Sequence, residues 1–504
     1  MGNEAREVQY AVSSVQSYQL KGEAIWEWQS NSRLIVISND RSSNNERLDQ
    51  TLELLQSEML EMKLIDEGSM AITHGSLLSA EAGDIVIEMR ASEEGEDSEK
   101  YTIEVGDVVT IQASGTRGLL YGARWLLLRT CQQQPIPHGV IVDSPVIKER
   151  ALHIDIGRKY FTCHWIKERI KEMSYLRLNT LQLHFSENEG FAFASERHPE
   201  IVSERHLSMK EILEIKEEAK KYDIAIIPSL DSPGHLAYAL RAHEEWLLRD
   251  REGNAAKGAL DISNPEARAF IVDLIGEYAN LFEDSTSFHI GGDEFIDFDT
   301  FESYPQLAAY ARQELGIADG DGIDTYIDYL NEIAELLESR GFVVRAWNDG
   351  LYRANQVQRV HLKPSIQIAY WTRWHVNMAT VQTILDKGHD VLNYNDGYFY
   401  YVLGENAGYK YPSAESIYEQ WHPGLFSRPG DALKQELDCP YPRQLKGCSF
   451  AIWSDTPSAQ TEAEVSLGIR EPLLAMAELS WIGEKRYEQF RDAKAGSEYG
   501  SALL

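Results

Sequence analysis

The chain has no run of 18 or more apolar residues, only four cysteines among 504 residues, and 48 basic residues against 80 acidic ones. A helix that crosses a bilayer needs about 20 consecutive, mostly apolar residues, so no membrane insertion is expected. A formal charge of −32 repels phosphate backbones and anionic lipid, so nucleic acid is not an expected partner, and the excess of acid reads as solubility. Cys131, Cys163, Cys439 and Cys448 are dispersed and match no zinc spacing; they read as buried thiols in a reducing compartment. There is no HExxH, no GxSxG elbow, no P-loop and no Cys/His cluster, so neither a metal nor a cofactor is expected. The start, "MGNEAREVQYAVSS", lacks the basic and apolar regions of a secretory leader; the expectation is a cytoplasmic protein, although a mature secreted form would look the same.

Aromatic residues are abundant, with 11 Trp and 25 Tyr, and 43% of the chain is hydrophobic. Sugar rings stack their C–H faces on aromatic planes while their hydroxyls take carboxylates and arginine. The composition therefore suits a carbohydrate site.

The pattern of apolar residues changes near residue 146. Before it, "RLIVIS", "DIVIEMRA", "KYTIEVG" and "VVTIQAS" alternate as short strands do. "NNERLDQTLELLQSEMLEMK" and "GTRGLLYGARWLLLRTCQQQ" carry helical spacing. Residues 1–146 thus read as a small α+β domain, joined to the rest by the Pro- and Gly-punctuated "QQPIPHGVIVDSPVIKER". From 147 to 504 the pattern is α/β. Eight continuous apolar runs, "ALHIDIG", "LNTLQLHF", "IAIIPSLD", "TSFHIGGDE", "FVVRAWND", "IQIAYW", "DVLNYND" and "GCSFAIWSD", alternate with helical stretches such as Trp165–Leu176 and Met209–Tyr222. Eight buried parallel strands with intervening helices predict a (β/α)8 barrel. The long segment Tyr401–Gln444 is expected to cap one mouth.

Barrel enzymes place their reacting groups at the C-terminal ends of the strands. Those ends carry Asp155 with Arg158, His184, Asp231 with His235, Asp293 with Glu294, Trp347 with Asp349, Trp371, Asn393 to Tyr401, and Trp453 with Asp455. Any one of them could be a cap or a satisfied core contact, but eight converging on one rim point to a site. Carboxylates set among Trp, Tyr and Arg match a glycosidase, in which a carboxylic acid protonates the leaving oxygen. "FHIGGDEF" puts two carboxylates side by side behind two glycines. Alone it reads as an acidic turn, and neighbouring residues do not easily flank a bond from opposite faces. Adjacency suits one acid and one helper on the same side.

These motifs resemble glycoside hydrolase family 20, the exo-β-N-acetylhexosaminidases. "RALHIDIGRKYF", "IIPSLDSPGHL", "FHIGGDEF" and "FAIWSD" are similar to the family's motifs on strands one, three, four and eight, and the first module is similar to its accessory domain. "LHFSENEGFAFAS", "ALDISNPEARAF" and "LNYNDGYFYYV" look most like dispersin and related bacterial enzymes. The resemblance implies substrate-assisted catalysis, in which the 2-acetamido oxygen attacks the anomeric carbon and forms an oxazolinium. It implies that Glu294 is the general acid and base, its pKa expected to rise beside a neighbouring anion, and that Asp293 is ionised and orients the acetamido N–H. Arg150 matches an arginine that holds ring hydroxyls, or else makes a domain-junction salt bridge. Asp455 matches an acceptor for distal hydroxyls where many relatives have Glu. Trp347, Trp371 and Trp453 match the pocket walls. Tyr400 matches the tyrosine that binds the acetamido oxygen, with Tyr398 and Tyr401 as register alternatives. Asp231 and His235 match partners that orient the acid, and His184 is either similar or structural. Ser229 and "LQLHFSENEG" depart from the common pattern and are expected near the rim. The implied activity is release of terminal β-linked GlcNAc or GalNAc; the alternatives are a dispersin-like hydrolase of β-1,6-poly-N-acetylglucosamine and a non-catalytic sugar-binding barrel.

Overall fold

The computed structural model describes residues 14–29, 31–37, 45–66, 72–90 and 98–486. The N-terminal stretch inspected for a leader lies outside these residues, apart from its last position. The first module is a mixed sheet of seven strands. In spatial order they are Ser17–Trp26, Ile136–Asp143, Tyr101–Val105, Val109–Ala113, Ile85–Met89, Leu34–Ile37 and Ile72–His74. Helices Asn45–Glu61 and Thr116–Cys131 pack on it, and the second buries Leu119, Leu120, Ala123, Leu126 and Leu127. The helical spacing seen in the sequence therefore marks the face that meets the sheet.

The second module is a closed parallel barrel. Its strands are β1 (Glu149–Asp155), β2 (Thr180–His184), β3 (Ala225–Ser232), β4 (Ser287–Gly291), β5 (Val343–Trp347), β6 (Gln367–Tyr370), β7 (Val391–Asn393) and β8 (Leu445–Trp453). Each pairs with the next, and β8 closes onto β1. All eight strands expected from the sequence are present. Their continuous apolar character follows from burial on both sides, by helices outside and side-chain layers inside. The outer helices include Cys163–Tyr175, Met209–Lys221, Pro265–Leu281 and Gly322–Glu338. Several begin at an N-cap that the sequence carries openly, such as Ser208 with Glu211 reaching back in a capping box.

The modules meet at the N-terminal end of the barrel. There Arg177 pairs with Asp143 at 3.0 Å and Arg117 with Asp223 at 3.1 Å. The segment from residue 400 to 444 contains structure of its own: a short strand, Tyr400–Val402, pairs in parallel beside the C-terminal part of β8, and the helix Ala414–Gln420 follows. Among the described residues no helix is long and apolar enough to cross a membrane.

Candidate active site

The turn after β4 explains "FHIGGDEF". Gly291 and Gly292 have φ of +75° and +91°, a region that L side chains rarely adopt. A Cβ on Gly291 would lie 2.7 Å from the Asp231 carboxylate, so the glycine lets β4 and β3 end side by side. Tyr326 donates its hydroxyl to the Gly292 carbonyl and fixes the turn. Asp293 then points inward and is buried, while the Glu294 side chain is half exposed. Glu294 itself has φ of +43°, strain held in place by Asp349, whose Oδ2 accepts the Glu294 N–H at 3.0 Å. Asp349 Oδ1 accepts from Trp371 Nε1 at 3.3 Å. The two carboxylates share one side of the pocket, as adjacency in sequence requires.

Facing them is a separate aromatic cluster of Trp347, Trp371, Tyr394, Tyr400 and Trp453, with Tyr409 against it. Trp371 and Tyr400 lie parallel at 5.7 Å, and Tyr400 is 5.6 Å from Trp453. Pairing of Tyr400–Val402 with β8 fixes the register: Tyr400 joins the cluster, whereas Tyr401 alternates to the other face, where its hydroxyl reaches Gln460. Tyr398 turns to Gln420. Of the three tyrosines, Tyr400 alone belongs to the aromatic cluster.

Glu187, buried at the end of β2, is the residue that sequence reasoning missed. It accepts from His235 Nδ1 at 2.9 Å and lies 3.2 Å from His184 Nε2 and 2.7 Å from Arg158. His235 Nε2 lies 3.4 Å from both Asp293 and Glu294. The quoted "SENEG" contained the residue, and its place directly after a strand end was the available signal. His184 belongs to the same network, with Nδ1 at 3.3 Å from Ser229 and Nε2 at 3.7 Å from Asp231. Ser229 is buried level with His184 at the end of β2, its hydroxyl against Gln182 and His184.

Two further expectations need correction. Arg150 is at the N-terminal start of β1, opposite the site. It is fully buried, donates to both Glu99 oxygens at 3.0 and 2.7 Å, and also bonds the Ile147 and Arg177 carbonyls. It is the junction arginine. The arginine at the site is Arg158, which pairs with Asp155 at 3.0 Å and with Glu187, its guanidinium 5.7 Å from the Trp453 ring centroid. Asp455 lies at the rim within the field of Arg158.

The acid pair is also polarised opposite to expectation. Burial, reinforced by Asp231, pushes Asp293 well above the usual carboxylate range, although His235 opposes this. Glu294 is held below its usual value, first by the hydrogen bond from His235. Burial would depress His235, but Glu187 and Asp293 outweigh it and raise the imidazole well above its ordinary value. Asp349 is pushed up by burial to about 6. The raised imidazole of His235 thus bonds Glu187 and lies 3.4 Å from Glu294, and of the two carboxyls Asp293 is the one biased toward its protonated form.

The family model "Glycosyl hydrolase family 20, catalytic domain" matches residues 148–484. The chain belongs to this family. Among curated proteins it is 26% identical over 420 residues to a lacto-N-biosidase of Bifidobacterium bifidum, covering 83% of this chain and 36% of that one. It is also 26% identical over 286 residues to beta-hexosaminidase subunit A2 of Dictyostelium discoideum, covering 56% and 49%. The chain thus spans about a third to a half of the length of these relatives. Among solved structures, a beta-N-acetylhexosaminidase from Bacteroides fragilis superposes with a TM-score of 0.75 at 19% identity, covering 97% of this chain and 95% of the other. At that identity the likeness concerns the fold.

Proposed function

We propose that this family 20 protein is an exo-acting, retaining β-N-acetylhexosaminidase that works by substrate assistance. The observation that carries this is the placement of Asp293 and Glu294 on one side of an aromatic pocket, with His235 in reach of both. A protein nucleophile needs a carboxylate about 5 Å across the bond from the acid; this pair suits an acid with a helper for the acetamido group.

The sugar lies against Trp347, Trp371 and Trp453, with Arg158 and Asp455 taking hydroxyls and the Tyr400 hydroxyl binding the acetamido oxygen. Its N–H donates to Asp293. That bond favours the ionised carboxylate, and the new anion raises Glu294. His235 Nε2 lies 3.4 Å from both groups, so the imidazolium can give its Nε2 proton to Glu294 and take one back from Asp293, a net transfer that stays within the site. Glu294 then donates it to the leaving oxygen as the C1–O bond breaks and the acetamido oxygen closes on C1. Ionised Asp293 stabilises the positive oxazolinium. Glu294 next takes a proton from water, which opens the ring and restores the acetamide with net retention.

Hydrolysis of aryl β-GlcNAc and β-GalNAc glycosides by the wild type and by Glu294→Gln tests this. The variant should lose roughly 100- to 10,000-fold in kcat. Equal rates in the two proteins would refute the acid assignment. A second reading is release of lacto-N-biose, favoured by the match to the Bifidobacterium protein over most of this chain. An aryl lacto-N-bioside cleaved faster than aryl β-GlcNAc would select it.

A further inference from the structure

Three side chains at and just past the ends of β3 and β4 carry buried polar atoms that nothing in the fold satisfies. Asp231 is fully buried, yet neither carboxylate oxygen has a hydrogen bond. Asp293 Oδ1 and His235 Nε2 are buried without one as well. One ligand atom from each of Asp231, His235 and Asp293 lies within 4.8 Å of the other two. His235 Nε2 is 3.4 Å from Asp293 and 3.4 Å from Glu294. Atoms bound at about 2.0–2.2 Å around a tetrahedral zinc ion stand roughly 3.3–3.6 Å apart, so these separations already suit a metal.

The imidazole is also oriented for one. Glu187 accepts the His235 Nδ1–H at 2.9 Å, which fixes the ring and leaves Nε2 as the ligand atom of the neutral form. A carboxylate behind the histidine is the usual outer partner of a zinc-bound imidazole. A second trio, His184, Glu187 and Asp231, is as compact. There, however, the Arg158 guanidinium already holds Glu187 at 2.7 Å, and one cation repels another.

We propose that Asp231, His235 and Asp293 form a binding site for a zinc-type transition-metal dication, and that this ion inhibits hydrolysis. The inhibition rests on the proposed role of Asp293; the binding does not. One imidazole with two carboxylates suits zinc, whereas calcium takes six to eight oxygen ligands and magnesium keeps most of its water. Glu294, half exposed, marks the way in, and its carboxylate beside the same nitrogen is placed to be a fourth ligand. An ion on Asp293 occupies the carboxylate that takes the acetamido N–H, so metal and sugar exclude one another.

Calorimetric titration of zinc into chelator-treated protein tests the site in wild type, Asp231→Asn, Asp293→Asn and a His198→Ala/His243→Ala double variant. The double variant removes an exposed competitor, two histidines flanking one Glu200 oxygen at 3.4 and 3.2 Å. Each Asn variant keeps the side-chain shape and should lose roughly 10- to 100-fold in zinc affinity or more, while the double variant retains the wild-type value. No binding, binding that both Asn variants keep, or binding that the double variant loses overturns the site. On aryl β-GlcNAc, zinc should raise KM with kcat unchanged, a chelator should restore activity, and magnesium should have no effect. Zinc that binds at the site without raising KM overturns the inhibition. A wild type with no hydrolase activity removes the inhibition together with the proposed function, and the titration still decides the site.

Discussion

Replacing Glu187 by Gln separates the network described here from simple burial. The carboxylate takes the His235 Nδ1–H at 2.9 Å, the Asn188 N–H at 2.9 Å and the guanidinium of Arg158 at 2.7 Å, with His184 at 3.2 Å. A carboxamide keeps the shape, but it offers one oxygen to these donors and turns an NH2 toward the others. Losing one partner of a buried ion pair costs about 3–5 kcal/mol. Since one acceptor survives, about 3 kcal/mol is expected, or a fall in melting temperature of roughly 3–4 °C for a unit of this size. The sign of the pH dependence is fixed. Burial opposes ionisation of Glu187, but His235 and Arg158 hold it well below 4.5, so its contribution is present above that value and lost as pH falls through the folded pKa. His235 is raised above 6.5, so its contribution is present below 6.5 and lost as pH rises through its folded pKa. The stability gap between wild type and variant should therefore be widest from about pH 4.5 to 6.5 and close in stronger acid. Thermal melts across that range measure it. In the same variant His235 loses the anion that keeps it charged, Glu294 is released upward, and the alkaline limb of the kcat/KM profile, where the acid loses the proton it must donate, should move to higher pH. A gap that is absent at about pH 6, or as wide in strong acid as at pH 6, would refute the reasoning.

Asp293→Asn should cost roughly 100- to 1,000-fold in kcat, because the developing oxazolinium loses its anion. The same variant should melt higher than wild type at neutral pH: the raised Asp293 pKa means that stability falls as pH rises from 3.8 through the folded value, and Asn escapes this. Melts and kinetics on one preparation check both signs. Arg150→Ala should destabilise by about 3 kcal/mol by taking the bidentate guanidinium from buried Glu99 and leaving it Arg117 at 3.6 Å, with KM unchanged in the folded fraction; Arg158→Ala should weaken kcat/KM directly.

The barrel was legible because buried parallel strands must be continuously apolar, and a polar residue closing such a run stands out. Asp293, His235 and Trp453 were visible on that ground. Arg150 was misplaced because it begins its strand: the residues that begin a strand and those that end it lie at opposite mouths, a full strand length apart. Arg158, three residues past the end of β1, obeyed the rule that Arg150 broke. Glu187 was missed because a run of polar residues, "SENEG", gives no sign of which member turns inward. The polarity of the acid pair was misjudged because it depends on which carboxylate is desolvated and which meets the imidazole. Both are three-dimensional facts.

The reversed polarity bears on specificity under the proposed mechanism. The fold holds Glu294 in left-handed backbone, buries Asp293 and leaves both Asp231 oxygens without a hydrogen bond, all of which cost stability. What this strain maintains is an unevenly biased pair: His235 holds Glu294 toward its ionised form, while burial holds Asp293 toward its protonated one. Only a ligand that gives Asp293 a hydrogen-bond donor moves that proton toward the leaving group. A 2-acetamido N–H does so, whereas a 2-hydroxyl can turn its oxygen toward the protonated carboxyl and leave the proton where it is. The group that supplies the nucleophile would then also be the group that arms the acid, so a glucoside could occupy the pocket without triggering the first step.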